Sequence, residues 1–196
     1  MRPVILLHGG AGAMKTMGGE REGRYRTSLR AACAAGASIL EAGGTALEAV
    51  TQANVFMENS GAFNAGLGSC LTSGGTIEMD AAVMNGADRG VGAVTGIAGV
   101  ANPVLVARAV MEKTPHCMLQ GTGADAFAAE HGFPIRPNFP SSGRLEMWKA
   151  KKVELDSHGP WVNLADRLAT LGGVAGVEPV PDSLAVGPGD TVGAVA

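Results

Sequence analysis

The feature that most limits what this chain can fold into is the break in its patterning between residues 156 and 190. That segment carries Pro160, Pro179, Pro181 and Pro188 among scattered glycines. Proline fixes φ and removes a backbone donor, so such a run suits neither a helix interior nor a central strand. The segment is also too long for an ordinary connection inside a compact domain. It reads as a long, largely disordered linker. Residues 1–155, before it, alternate apolar runs with helical periods. After it, Thr191-Val192-Gly193-Ala194-Val195-Ala196 returns abruptly to strand character. The chain thus divides into a body (1–155), a linker (156–190) and an opening strand (191–196).

Composition narrows the body. Apolar residues make up 46% and charged residues 17%, enough for a sizeable core and incompatible with compositional disorder. Glycine is the outlier at 30 residues, roughly twice average usage, but it has no three-residue period, which excludes collagen. Aromatic residues are scarce: two Trp, one Tyr and five Phe. This suits a tightly packed α/β domain with many turns. Lys and Arg number 15 against 18 Asp and Glu, a net charge of -3, so there is no basic footprint for nucleic acid. No stretch reaches the roughly 18 apolar residues of a membrane span; the richest, 93–110, is broken by Thr95, Asn102, Pro103 and Arg108. Val4-Ile5-Leu6-Leu7 is too short for a signal-peptide core. The expected setting is cytoplasmic. Cys33, Cys70 and Cys117 have no paired spacing and read as small buried apolar residues rather than zinc ligands.

Residues 4–7 read as a short buried strand running into the glycine loop His8-Gly9-Gly10-Ala11-Gly12-Ala13. A helix is expected over 26–41, ended by Gly43-Gly44, and a second from the spacing of Ala46, Val50, Ala53 and Met57. Residues 59–68 form a loop. Residues 69–73 and 76–84 suggest a hairpin around Gly74-Gly75, its second arm placing Ile77, Met79, Ala81 and Val83 on one face and Glu78 and Asp80 on the other. A strand is expected over 91–100. Asn102 followed by Pro103 marks a helix start, the Asn as capping side chain, with the helix running to about Lys113. A strand over 116–120, a helix over 124–131 and a charged helix over 144–154 follow.

Several motifs carry more than one reading. The His8-Gly9-Gly10 loop can present backbone N–H groups to an oxyanion, or simply turn the chain out of its strand. Gly121-Thr122-Gly123-Ala124-Asp125-Ala126 fits a dinucleotide fingerprint, yet glycines are common here and Pro134, Pro137 and Pro140 occupy the region where the partner acid belongs. A turn opening a helix is the simpler reading. His116 lacks a partner by spacing and reads as a packed histidine. Lys149, Lys151 and Lys152 form a solvated helix face. The loop 58–67 mixes small residues, and such a backbone can turn carbonyls inward around a hard cation; spacing alone does not separate that from an ordinary loop. A threonine hydroxyl such as that of Thr191 is a weak nucleophile until a base takes its proton. A cut just before it would free an α-amino group on the same residue, with a pKa of about 7.7–8.0.

Taken together, His8-Gly9-Gly10-Ala11-Gly12, Phe63-Asn64-Ala65-Gly66-Leu67-Gly68, Glu78-Met79-Asp80-Ala81, Asn102-Pro103-Val104, Met111-Glu112-Lys113-Thr114-Pro115-His116 and Asp190-Thr191-Val192-Gly193-Ala194-Val195-Ala196 resemble the plant-type L-asparaginase / isoaspartyl peptidase family. The motifs occur in the family's order along nearly the whole chain. The resemblance implies an N-terminal nucleophile hydrolase with an αββα four-layer sandwich, incomplete here. It implies a precursor that cuts itself into α and β subunits and matures into a dimer of αβ units acting on L-asparagine and β-aspartyl dipeptides. By position, Thr191 matches the nucleophile and Asp190–Thr191 the self-cleavage bond. Asn64 and the His8-Gly9-Gly10 loop match the nucleophile's support. Met57, Glu58, Ser60, Phe63, Ala65 and Leu67 match the backbone carbonyls that hold a structural Na⁺. No organic cofactor is implied.

Two departures qualify the match. Many members carry Gly before the nucleophile where this chain has Asp190, which also resembles the aspartylglucosaminidase and threonine-aspartase branches. And the family's substrate-gripping Arg and Asp, further Thr residues and glycine-rich oxyanion segment follow the nucleophile, beyond Ala196. The chain therefore reads as a truncated precursor, with little or no activity by itself. The competing readings are a non-catalytic remnant that pairs with an intact partner, and the dinucleotide-binding domain.

Overall fold

The computed structural model describes residues 3–10, 19–136, 140–158 and 192–196. The elements run β1 (Leu6–His8), α1 (Gly19–Glu41), α2 (Ala46–Ser60), a single 3₁₀ turn (Gly66–Gly68), β2 (Met79–Asn85), β3 (Gly90–Ile97), α3 (Pro103–Lys113), β4 (Met118–Gln120), α4 (Gly121–Glu130), α5 (Ser142–His158) and β5 (Gly193–Val195). This is the mixed α/β class expected. The strands form two sheets: an antiparallel pair β1–β5, and a three-stranded sheet in the order β2–β3–β4. In the latter β2 and β3 are antiparallel, whereas β3 and β4 are parallel. Helices α1 and α2 pack together beside β1–β5, and α3 and α4 pack on β2–β3–β4. Helix α2 touches both groups, reaching β5 on one side and α3 and β2 on the other.

Local chemistry explains most boundaries. Thr45 opens α2 with a reciprocal capping box: Glu48 N–H donates to Thr45 Oγ1 at 3.2 Å, and Thr45 N–H donates to Glu48 Oε2 at 2.8 Å. Gly61 closes α2 in the left-handed conformation, φ 65°. Along β2 the expected alternation holds, with Ile77, Met79 and Val83 buried and Glu78 and Asp80 exposed. These side chains meet Val94 and Ile97 of β3 and Val104, Val106 and Val110 of α3 in the main core.

The structure corrects several expectations. The hairpin around Gly74-Gly75 shrinks to one bridge, Leu71 to Ile77, because β2 pairs with β3 instead, across the turn before Gly90. Helix α1 starts at Gly19 rather than Arg26, and α5 extends to His158, so residues 156–158 are helical rather than linker. The rest of the linker lies outside the described residues. Strand β1 is Leu6–His8 and is not a buried strand: Val4 and Leu6 are each 65% exposed, because only one face of the two-stranded pair is packed. No cysteine is fully buried; Cys33 and Cys70 are half-buried and Cys117 is exposed. His116 is exposed as well, with its backbone N–H bonded to Thr114 Oγ1. Gly121 and Gly123 open α4 as expected, although the helix starts at Gly121 rather than Ala124, and Asp125 is turned onto the backbone N–H groups of Ala98 and Gly99.

Candidate active site

The terminal strand returns to the start of the chain. β5 lies antiparallel to β1 with Leu6 opposite Val195, Leu7 opposite Ala194 and His8 opposite Gly193. The register brings the His8-Gly9-Gly10 loop beside the residues that follow Thr191. Thr191 and Asp190 themselves lie outside the described residues. Val192 is half-buried and packs, with Leu7, Leu29 and Ala62, on a cluster of Tyr25, Ala32, Met57 and Phe63.

That cluster sets the shape of the glycine loop. Phe63 is fully buried and meets Tyr25 edge-to-face, centroids 5.2 Å apart. Its ring lies so near Gly9 that a Cβ there would come within 2.6 Å of Cε1. The His8 imidazole lies against Gly193, where a side chain would collide with it, and accepts a long hydrogen bond at Nδ1 from Gly10 N–H, 3.4 Å. The fully buried Phe63 ring makes glycine a requirement at position 9, whereas the exposed His8 ring could turn aside for a side chain at position 193.

Asn64 follows Phe63 and accepts at Oδ1 from the backbone N–H of Cys70, 2.7 Å. Asn64 and Val192 line the same cavity, of about 320 Å³, together with Glu58, Glu78 and Asp80. The expected support residues Asn64, His8, Gly9 and Gly10 are thus gathered around the segment that continues from Thr191. Asp80 is fixed by Thr95 Oγ1 and Gly96 N–H, which donate to its Oδ1 at 2.6 and 2.9 Å.

The expected cation loop is the last turn of α2 and the coil after it. Met57 and Phe63 are fully buried. A Cβ on Gly66 would lie 2.6 Å from the Glu58 carbonyl oxygen, and one on Gly68 would collide with that of Phe63. The Met57 carbonyl accepts from Ser60 Oγ at 2.7 Å, and that of Ala65 from Gly68 N–H at 3.0 Å. Carbonyl oxygens therefore turn into this coil where only glycine fits. Among the described residues no His, Cys, Asp and Glu cluster could hold a metal, so a cation here would rest on backbone oxygens, the donor type that suits Na⁺.

Glu58 does something the sequence reading missed. Its carboxylate, 3% exposed, reaches from the end of α2 to the start of α3. Oε1 accepts from Val104 N–H at 3.1 Å, and Oε2 accepts from Asn102 Nδ2 at 3.0 Å. Asn102 was expected to cap α3 with its own side chain; it makes no cap bond and donates instead to Glu58 and to Asn59 Oδ1, 2.9 Å. The cap is supplied from another helix. Burial raises the Glu58 pKa from 4.5 to about 7, against the opposing pull of the Asn102 and Val104 hydrogen bonds. The available signal was position: Glu58 directly follows the buried Met57 stripe. Helix contacts far apart in sequence hid its partner.

The whole chain, residues 1–196, matches the family model described as Asparaginase. The chain belongs to the asparaginase family. It is 41% identical over 180 residues to the isoaspartyl peptidase/L-asparaginase of Bos taurus, covering 89% of this chain and 56% of that protein. The Rattus norvegicus protein of the same description is 48% identical over 172 residues, 88% of this chain and 51% of its own length. The isoaspartyl peptidase of Escherichia coli (strain K12) is 41% identical over 182 residues, 89% of this chain and 57% of its own. The chain spans about half the length of the curated relatives it matches. No helix among the described residues is long and apolar enough to cross a membrane.

Proposed function

We propose that this chain is the nucleophile-bearing part of an amidohydrolase that cuts its own backbone between Asp190 and Thr191 and hydrolyses L-asparagine and β-aspartyl dipeptides. The observation that carries the reading is the β1–β5 pairing, which sets the residues after Thr191 beside the His8-Gly9-Gly10 loop and in one cavity with Asn64. Membership of the asparaginase family supports it.

The chemistry needs no organic cofactor. Thr191 Oγ attacks the Asp190 carbonyl; the peptide C–N bond breaks as the ester C–O bond forms, and the proton passes to the freed amine. Water then hydrolyses the ester, leaving a carboxylate on Asp190 and a free Thr191. In the mature enzyme the Thr191 amino group, with a pKa of about 7.7–8.0, takes the hydroxyl proton. Oγ attacks the substrate side-chain amide, ammonia or the amino acid that follows the β-aspartyl residue leaves as the protonated amine, and water cleaves the aspartyl-enzyme ester. Asn64, His8, Gly9 and Gly10 hold the nucleophile's surroundings. The carbonyls of Met57, Glu58, Ser60, Phe63, Ala65 and Leu67 would hold a Na⁺, which would fix the loop carrying Asn64. The β-subunit of the same precursor completes the site, and two αβ units form the dimer.

Intact-mass measurement tests the processing step. A fragment ending at Asp190 and a new N-terminus at Thr191 are expected, and Thr191→Ala should stay uncut. Cleavage persisting in that variant would point to an outside protease and remove Thr191 from its role. Asp190 favours a second reading of the substrate, a glycosylasparagine as in aspartylglucosaminidases. Comparing release of ammonia from asparagine with release from a glycosylasparagine decides between them. Residues 1–196 alone should show little turnover of either.

A further inference from the structure

Arg144, in the first turn of α5, is 8% exposed. The guanidinium makes a single hydrogen bond to the described protein, from Nη1 to Cys70 Sγ at 3.5 Å, and a thiol is a weak acceptor. Neither ion pair among the described residues involves it. Arginine is almost never buried so deeply without a counter-charge. No buried side-chain nitrogen or oxygen among the described residues lacks a partner, and Arg144 itself lines a cleft.

That cleft has a volume of about 940 Å³ and runs between α1, the turn after α2 and the start of α5. Arg21 and Arg24 line it from α1, with Ser28 beside them and Ser60 across from them. Glu20 is the one carboxylate among the lining residues. Neither Arg21 nor Arg24 forms an ion pair among the described residues. The N-terminus of α5, a helix of 17 residues, opens on the same space and adds its positive end.

We infer that this cleft binds a small oxyanion, a carboxylate or a phosphate. The planar guanidinium fork of Arg144 matches two oxygens of one such group. Arg21 and Arg24 supply the attraction at the mouth, and the Ser28 hydroxyl adds a further donor. Because Ser60 and the turn after it line the cleft, an occupant would rest against the coil that carries Asn64.

The test titrates the purified protein with sodium phosphate and with sodium succinate against sodium chloride of equal ionic strength. Tm and titration calorimetry are the readouts. A saturable rise in Tm with one oxyanion and not with chloride is expected, and the arm that responds identifies the class. Arg144→Gln should weaken binding at least about tenfold, the scale of a lost charge-assisted hydrogen bond. The Arg21→Gln, Arg24→Gln double variant should weaken it similarly while leaving a surface helix folded, so the inference stays testable if Arg144→Gln fails to fold. Absence of saturable binding for both anions, or unchanged binding in the double variant, overturns it.

Discussion

The two sheets of this molecule are finished to different degrees. In the three-stranded sheet the helix-facing side is closed by the chain itself: Ile77, Met79, Val83, Val94 and Ile97 are buried beneath α3 and α4, while Met84, Val91 and Met118 of its strands stay exposed. In the β1–β5 pair one face rests on α1 and α2, while Val4 and Leu6 are each 65% exposed and Val195 is 62% exposed. Two strands alone bury too little to be stable by themselves, and their edges invite further pairing. The closed sheet is scaffold. The open one carries the segment proposed to do chemistry, and in the proposed enzyme the β-subunit completes it.

The largest effect belongs to the open sheet. Thr191→Ala should abolish self-cleavage and turnover in the full-length protein while leaving the fold's Tm nearly unchanged, as mass spectrometry, an ammonia assay and a thermal scan would show. A second measurement compares the sheets directly. Ile97→Ala should cost about 2–5 kcal/mol by opening a cavity in the closed core. Leu6→Ala in residues 1–196 should cost under about 0.5 kcal/mol, since the side chain is already in water. Denaturant unfolding measures both. Equal costs would mean that the open face is covered in solution and the contrast is false.

How far the sequence foretold this follows from the range of each signal. The alternation of Ile77, Met79 and Val83, the helix at Pro103 and the glycine loop after β1 are local patterns, and they were legible. The resemblance supplied Thr191, Asn64 and the carbonyl loop as one ordered set. What escaped depended on contacts distant in sequence. Glu58 finds Val104, Asp80 finds Thr95, Asp125 finds Gly99 and Arg144 finds Cys70 only once the sheets and helices are stacked. The exposure of β1 was missed because an apolar run signals burial whatever supplies the cover.

Glu58 joins the coil on the open side to α3 on the closed side, and its titration reports on that joint. A carboxyl whose pKa is higher folded than unfolded binds more protons when folded. Its contribution is full below the ordinary 4.5 and is lost as pH rises through about 7. The shift corresponds to about 3 kcal/mol at most. Stability measured by denaturant between pH 4.5 and 7.5 should therefore carry a falling component that Glu58→Gln removes. An unchanged slope in that variant would show that Glu58 titrates normally and that the joint is more hydrated than its burial indicates.

The smallest expected effect asks whether the two sheets unfold together. Helix α2 contacts β5 on one side and β2 and α3 on the other, so loosening it should be felt by both. Thr45→Ala deletes the hydroxyl that accepts from Glu48 N–H, leaving a helix N-terminal donor to water, at a cost of about 1 kcal/mol. If α2 couples the sheets, probes in both regions, such as Tyr25 fluorescence beside β5 and amide exchange in β3, should shift by that same amount in one transition. If the Tyr25 probe shifts while β3 exchange does not, the open sheet and its helices form a separate, weaker unit. The contrast between scaffold and site would then hold for stability as well as for exposure.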